Sequence, residues 1–220
     1  MLLAIDTCGN TGTIALALRE GESMMVIGTA ELAGKTYSAM LVPRLRELFE
    51  AHHVDRQHIE AIVVVNGPGS FTGVRVGLSA VKGLAEVLAT PIIAVSRLQV
   101  LAHKEQKRFA ALDAGRGEFY FRDDNPGAPS EALLTLGELR DAAPAASELV
   151  VCEEKVAAAF PEACLVTAPT ATDALAVALP RLRAGDFDDL ASLDGNYLRR
   201  SDAELFARKP EAVAGKTQSA

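Results

Sequence analysis

The chain has 220 residues and a net charge of −7, from 22 Lys+Arg against 29 Asp+Glu, with 49% hydrophobic and 23% charged residues. That balance excludes a mainly disordered chain and gives a core large enough to need no disulfide or metal staple. It also excludes a broad basic surface for nucleic acid, though not a local patch.

Taken in chain order, Leu2 to Thr7 is a short apolar run, and residues 13–19 and 24–31 are two further predicted strands. Gly9-Asn10 and Gly12 break the first pair and Glu20-Gly21-Glu22 the second, so links this short predict an antiparallel meander. Leu41, Leu45, Leu48 and Phe49 then recur at helical spacing. Ser38 is the expected cap of that helix, Pro43 lies near its first turn, and His52 to Gln57 end it. Ala61 to Val65 (AIVVV) reads as a strand buried on both faces. A long helix is predicted from about Thr72 to Ala89, then another buried strand from Pro91 to Val95. The order β-β-β-α-β-α-β predicts a mixed sheet with helices on both faces.

The second half repeats the theme more weakly. Phe109 to Leu112 and Glu118 to Arg122 flank the hairpin signal Gly115-Arg116-Gly117, and Asp123 to Pro129 is a loop. Leu149 to Cys152 and Cys164 to Thr167 are predicted strands, and Thr172 to Arg183 a helix, with Asp173 near its start and Gly185 after its end. The expected division is a first subdomain at 1–105, a smaller second one at 106–205, and a disordered tail at 206–220 that lacks apolar periodicity from about Arg208. The N-terminus meets Asp6 with no basic stretch before it, unlike a signal peptide, and no apolar run reaches the roughly 18 residues of a membrane span. A cytoplasmic chain with no membrane contact is expected. Cys8, Cys152 and Cys164 are odd in number and lack CxxC spacing, so reduced thiols are expected rather than a zinc site.

The most distinctive segment is Gly67-Pro68-Gly69-Ser70-Phe71-Thr72-Gly73, which joins a buried strand to a helix. Backbone N–H groups at such a junction can cradle phosphate. The loop is neither a Walker A motif nor a dinucleotide fingerprint, and a tight turn with Ser70 or Thr72 as helix cap explains it equally well. Asp6-Thr7, at the end of the first strand, is a candidate vestigial nucleotide site, with an ordinary strand-end turn as the plainer reading. The helix after the loop has two apolar stripes. One is Val74, Leu78, Val81, Ala85 and Leu88; the other is Val76, Ala80, Gly83, Leu84 and Val87. Two stripes imply full burial, or a core face plus a partner face. Gly77 and Gly83 would let another backbone approach closely. Basic residues thicken from Arg97 to Arg108, which reads as an exposed helix face, with RNA phosphate contact as a minor alternative. The acid pairs Glu153-Glu154 and Asp188-Asp189 read as solvated charges. His52, His53, His58 and His103 form no metal-binding pair, and no catalytic constellation is readable.

LLAIDT at the start, GPGSFTGVRVGLSAVKGLA at 67–85, DAGRGEFYF at 113–121 and NYLRRSDAE at 196–204 together resemble the TsaB (YeaZ) family. The resemblance implies an actin-like ATPase fold of two ribonuclease-H-like subdomains, the second reduced. It implies a non-catalytic scaffold for making N6-threonylcarbamoyladenosine at adenosine 37 of tRNA. The implied partners are a TsaD-type paralogue that carries the transferase and metal sites, and a TsaE-type ATPase. TsaC makes the adenylate. ATP and metal are expected on those subunits, with no cofactor in this chain and tRNA held mainly through the complex. The family's first two helices form its dimer surface, which carries over to Tyr37, Met40, Arg44, Val76, Ala80, Gly83 and Val87. The same surface is expected to close a homodimer when the chain is alone. Tyr37 stands where the family usually keeps a histidine, with Leu41 four residues on, so this chain departs from the paralogue's HxxxH pair. Two rival readings remain: an actin-like ATPase acting alone through Asp6, Thr7 and the glycine loop, and a peptidase.

Overall fold

β1 (Leu2–Asp6) is buried along its whole length, as a short apolar strand at the centre of a sheet must be. It pairs antiparallel with β2 (Thr11–Glu20), which pairs antiparallel with β3 (Ser23–Ala33), giving the expected meander. β4 (Ala61–Val65) and β5 (Ile92–Val95) extend the other side in parallel, so the order is β3-β2-β1-β4-β5. The computed structural model describes residues 1–21, 23–34 and 36–199. The expected tail at 206–220 lies outside the described residues.

A second sheet holds β6 (Phe109–Gly115), β7 (Glu118–Asp123), β8 (Ser130–Thr135), β9 (Leu149–Val151) and β10 (Cys164–Leu165), in the order β10-β9-β6-β7-β8. Read from the meander edge, both sheets have the same plan: three antiparallel strands, then two parallel ones beside the first. The second sheet has as many strands as the first, but β9 and β10 are only 3 and 2 residues long. This is an α/β fold of two mixed sheets flanked by helices, as expected.

Helices α1 (Tyr37–Ala51) and α2 (Phe71–Leu88) cover one face of the first sheet. α3 (Arg97–Glu105) leaves the first half and packs on the second sheet. α4 (Leu136–Ala142) and α5 (Glu154–Ala159) cover that sheet's other face. Strand alternation separates the two faces: Phe109 and Ala111 join Leu139 and Val156, while Ala110 and Leu112 join Leu98 and Leu101 of α3. The last helix, α6 (Ala171–Ala184), turns back, and Ala171, Ala174, Leu175 and Ala178 complete the first sheet's core. Sequence order assigns this helix to the second subdomain. Its small-residue face instead fits closely onto β1 and β4, and the Ala171 N–H donates to Thr13 Oγ1 at 2.7 Å. A division at residue 105 therefore does not separate the two cores.

Three expectations change in detail. The N-cap of α1 is Thr36, not Ser38, and its hydroxyl bonds the Ala33 carbonyl at 2.7 Å rather than capping the helix. Pro43 lies on the exposed side of α1, beyond the first turn. β8, α4 and α5 are present although no sequence pattern announced them. α4 has 7 residues and α5 has 6, too few for a helical period to register. The start of α4 is set by a capping box between Thr135 and Glu138.

Candidate functional site

The end of β1 meets the glycine loop. Ser70 caps α2 by accepting from the Gly73 N–H at 3.2 Å, and the Ser70 N–H donates to the Cys8 carbonyl at 2.8 Å. The Gly67–Pro68 peptide is cis. The Thr7 hydroxyl donates to the Gly73 carbonyl at 2.6 Å. A Cβ on Gly73 would run into the Thr7 carbonyl oxygen, and one on Gly77 into Thr7 Oγ1. These glycines therefore seat α2 against β1 within the chain. Phe71 stays exposed, with the Arg75 guanidinium 3.8 Å over its ring and Tyr197 beside it at 5.2 Å. Thr72 is exposed in the first turn of α2.

Asp6 is buried. Its Oδ1 accepts from the Cys8 N–H at 2.8 Å and its Oδ2 faces Arg97 Nε at 3.8 Å. Burial pushes the Asp6 carboxyl up, against the Arg97 charge and the Cys8 hydrogen bonds, which pull it down. Arg97 also lies over Gly9, where an added Cβ would come within 2.6 Å of Nη2. The Asp6 carboxylate thus accepts from a backbone N–H and has a guanidinium charge 3.8 Å away, and the Thr7 hydroxyl is committed to a carbonyl. With a guanidinium facing it, Asp6 does not offer the free carboxylate that a metal-bound polyphosphate would need. Among the described residues, no three His, Cys, Asp or Glu side chains come together as metal ligands.

The stretch from Arg97 to Arg108 is not the exposed basic face the sequence suggested. Arg97 is only 8% exposed, because it closes the first turn of α3 over β1. Lys104 pairs with Asp173 at 2.9 Å, Lys107 with Glu148 at 3.8 Å, and Arg108 with Asp123 at 2.8 Å. Few of these charges are free for phosphate. Glu153 also departs from expectation: it is half-buried and lines, with Arg97, Cys8, Asn10 and Ser70, a polar cleft of about 520 Å³ between the two sheets. Burial pushes Glu153 up, partly opposed by Arg97. No motif marks the Asp6–Arg97–Glu153 grouping. The one available signal is a charge of opposite sign at the end of each of two buried strands, Asp6 on β1 and Arg97 just after β5.

Burial also pushes the Cys8 thiol well up and the Cys152 thiol up to about 12. At pH 8, Cys152 would then hold roughly one part in ten thousand as thiolate, so both thiols are expected to alkylate far more slowly than a free cysteine. Timed iodoacetamide labelling read by mass spectrometry checks this. Labelling of Cys152 at the rate of an unperturbed thiol would show that the cleft does not shield it.

A second surface lies on α1 and α2. The stripe of Val74, Leu78, Val81 and Ala85 faces the core. The other stripe does not: Gly83 and Val87 are exposed, and Val76, Ala80 and Leu84 half-buried, alongside Met40 and the exposed Arg44 of α1. Val87 is 83% exposed and Val42 65%. An open apolar groove of about 710 Å³ adjoins them, lined by Val42, Leu45, Phe49, Val54 and Leu84. Nothing lies within 4 Å of a Cβ placed on Gly83. Tyr37 differs from the other residues carried over to this surface. It is 5% exposed, and its hydroxyl donates to the Gly9 carbonyl at 2.7 Å, so it anchors α1 to the turn after β1 beneath the surface.

A family model described as TsaD, tRNA N6-adenosine threonylcarbamoyltransferase, matches residues 29–143. A crystal structure of a Pseudomonas aeruginosa protein, described as similar to peptidase YEAZ, is 30% identical with a TM-score of 0.72, over 90% of this chain and 99% of that one. The chain belongs to the TsaB (YeaZ) family. The TsaB protein of Haemophilus influenzae, described by its role in tRNA threonylcarbamoyladenosine biosynthesis, is 35% identical over 126 residues, 54% of this chain and 52% of its own length. The Bacillus subtilis TsaB protein is 38% identical over 123 residues, with the same two shares. The chain thus spans about half the length of these curated TsaB relatives in the matched regions. The TsaB-like loop at 67–73 and the exposed stripe that follows it both lie inside the residues matched by the family model.

Proposed function

We propose that this chain is a non-catalytic subunit in the formation of threonylcarbamoyladenosine on tRNA, and that it pairs with a TsaD-type transferase through α1 and α2. The reading rests on family membership for the pathway and on one structural observation for the role: the apolar α1–α2 face left without a partner in this chain. The transferase's own family model covers residues 29–143, which include both helices. Two chains built on the same elements can meet across a pseudo-two-fold axis, so one face serves a heterodimer and, when the chain is alone, a homodimer. Val42, Val76, Ala80, Gly83 and Val87 make the contact, with Met40 and Arg44 at its edge. A stable version buries on the order of 1,200–2,000 Å². The transferase supplies the metal site, and a TsaE-type subunit hydrolyses ATP. With a net charge of −7, this chain leaves most tRNA contact to the transferase.

Light scattering behind size exclusion tests this, on the chain alone and mixed with a TsaD-type protein. A one-to-one complex is expected, replacing a homodimer. Ala80→Arg or Val87→Glu should abolish both without changing the circular dichroism, because each puts a charge into a contact that excludes water. Complexes that survive both substitutions would overturn the assignment of the face.

A further inference from the structure

Two arginines in the described residues have the same 8% exposure, and their surroundings differ. Arg122 is held at both ends, Nη1 on Glu131 at 2.9 Å and Nη2 on Asp124 at 2.6 Å. Arg97 has no such anchor. Its side chain makes an ion pair with Asp6 at 3.8 Å, too long for a hydrogen bond, and Nε is buried without a partner. Among the described residues three buried side-chain atoms lack partners: Arg97 Nε, Glu153 Oε2 and Arg122 Nε. The first two carry opposite charges and line the same cleft of about 520 Å³. An unpartnered donor and an unpartnered acceptor of this kind are costly, and because both atoms are sealed from solvent, a bound molecule would reach these two side chains at their remaining nitrogens and oxygen.

We propose that the cleft between the two sheets binds a small zwitterion, a free amino acid, with its carboxylate on Arg97 and its ammonium on Glu153. A simple anion would meet Arg97 but also Asp6, Asp113 and Glu153. A metal cation would meet those acids but also the guanidinium. A ligand with both charges meets an opposite charge on each of these two lining side chains and leaves the cleft no more charged than before. Asp113 is not needed, because Lys155 holds it at 2.9 Å. The cleft mouth carries the uncharged polar groups of Asn10 and Ser70, which suits a short or polar side chain. The planar guanidinium accommodates a carboxylate through two parallel bonds, as it does in protein ion pairs.

The experiment is an amide NMR titration of the full chain with each of the twenty standard L-amino acids at about 10 mM, enough to half-fill a site with a Kd of about 10 mM. At least one should shift the Gly9, Asn10 and Glu153 amides and leave α1 and α2 unmoved. Its carboxamide, lacking the carboxylate, and its N-acetyl form, lacking the ammonium, should each bind at least tenfold more weakly. Glu153→Gln should weaken it at least tenfold, and the exposed neighbour change Glu154→Gln should not. No response to any of the twenty overturns the proposal. So does an equal response of the same amides to inorganic phosphate or to magnesium chloride. Because the α1–α2 face is read separately by light scattering, loss of either proposal leaves the other standing.

Discussion

Replacing Arg97 with alanine is expected to cost about 3–5 kcal/mol of folding stability at pH 7, because it leaves the Asp6 carboxylate buried without its counter-charge. For a chain of this length that is a fall in Tm of roughly 6–20 °C. The pH dependence identifies the cause. Burial already raises the Asp6 carboxyl above its ordinary 3.8, and Arg97 is the main charge opposing that rise. An acid whose folded value is raised contributes no penalty below its unfolded value. The penalty grows as pH rises from there towards the folded value. Urea unfolding should therefore show a smaller deficit for Arg97→Ala at pH 4 than at pH 7, and adding Asp6→Asn should recover part of it. A deficit equal at both pH values would mean that lost packing, not a stranded charge, is responsible.

Gly73→Ala should destabilise by roughly 1–3 kcal/mol, whereas Gly83→Ala, ten residues along the same helix, should stabilise by about 1 kcal/mol. On propensity alone both changes favour the helix. At Gly73 the new methyl meets the Thr7 backbone oxygen, just past the end of β1, which no side-chain rotation can move, and lifting α2 would break the bond from the Thr7 hydroxyl. At Gly83 the methyl points into open space. Chemical denaturation of the two variants side by side, at a protein concentration low enough to keep the chain monomeric, reads the difference. Equal effects would show that α2 is not seated on Thr7 as described.

The contrast between these glycines marks what the sequence made legible. AIVVV announced a central strand because β4 is covered on both faces. The two stripes of α2 allowed full burial or a core face plus a partner face, and Val74 at 1% and Val87 at 83% exposure exclude full burial. Spacing could not say which glycine met a neighbour, since that depends on where β1 ends beneath the helix. The same limit hid Tyr37, whose place on the first turn of α1 looked superficial until the turn after β1 rose to meet its hydroxyl. Arg97 and Glu153 were read as solvated because each sits among other charged residues in sequence. Their burial comes from two sheets facing each other, a contact between elements more than fifty residues apart. Short elements such as α5 escaped because six residues cannot display a period.

The crossing of α3 and α6 between the two sheets has a consequence for synthesis. The inner face of the first sheet is closed by α6, whose last turn leaves the ribosome about 90 residues after β5. At about 5–20 residues per second, that face waits roughly 5–18 s for its cover. During that interval the nascent first half exposes β1 and β4 side chains that are buried in the finished protein. A fragment stopped at residue 105 should therefore behave as a sticky intermediate that needs a holdase, and adding residues 106–184 in trans should restore its solubility.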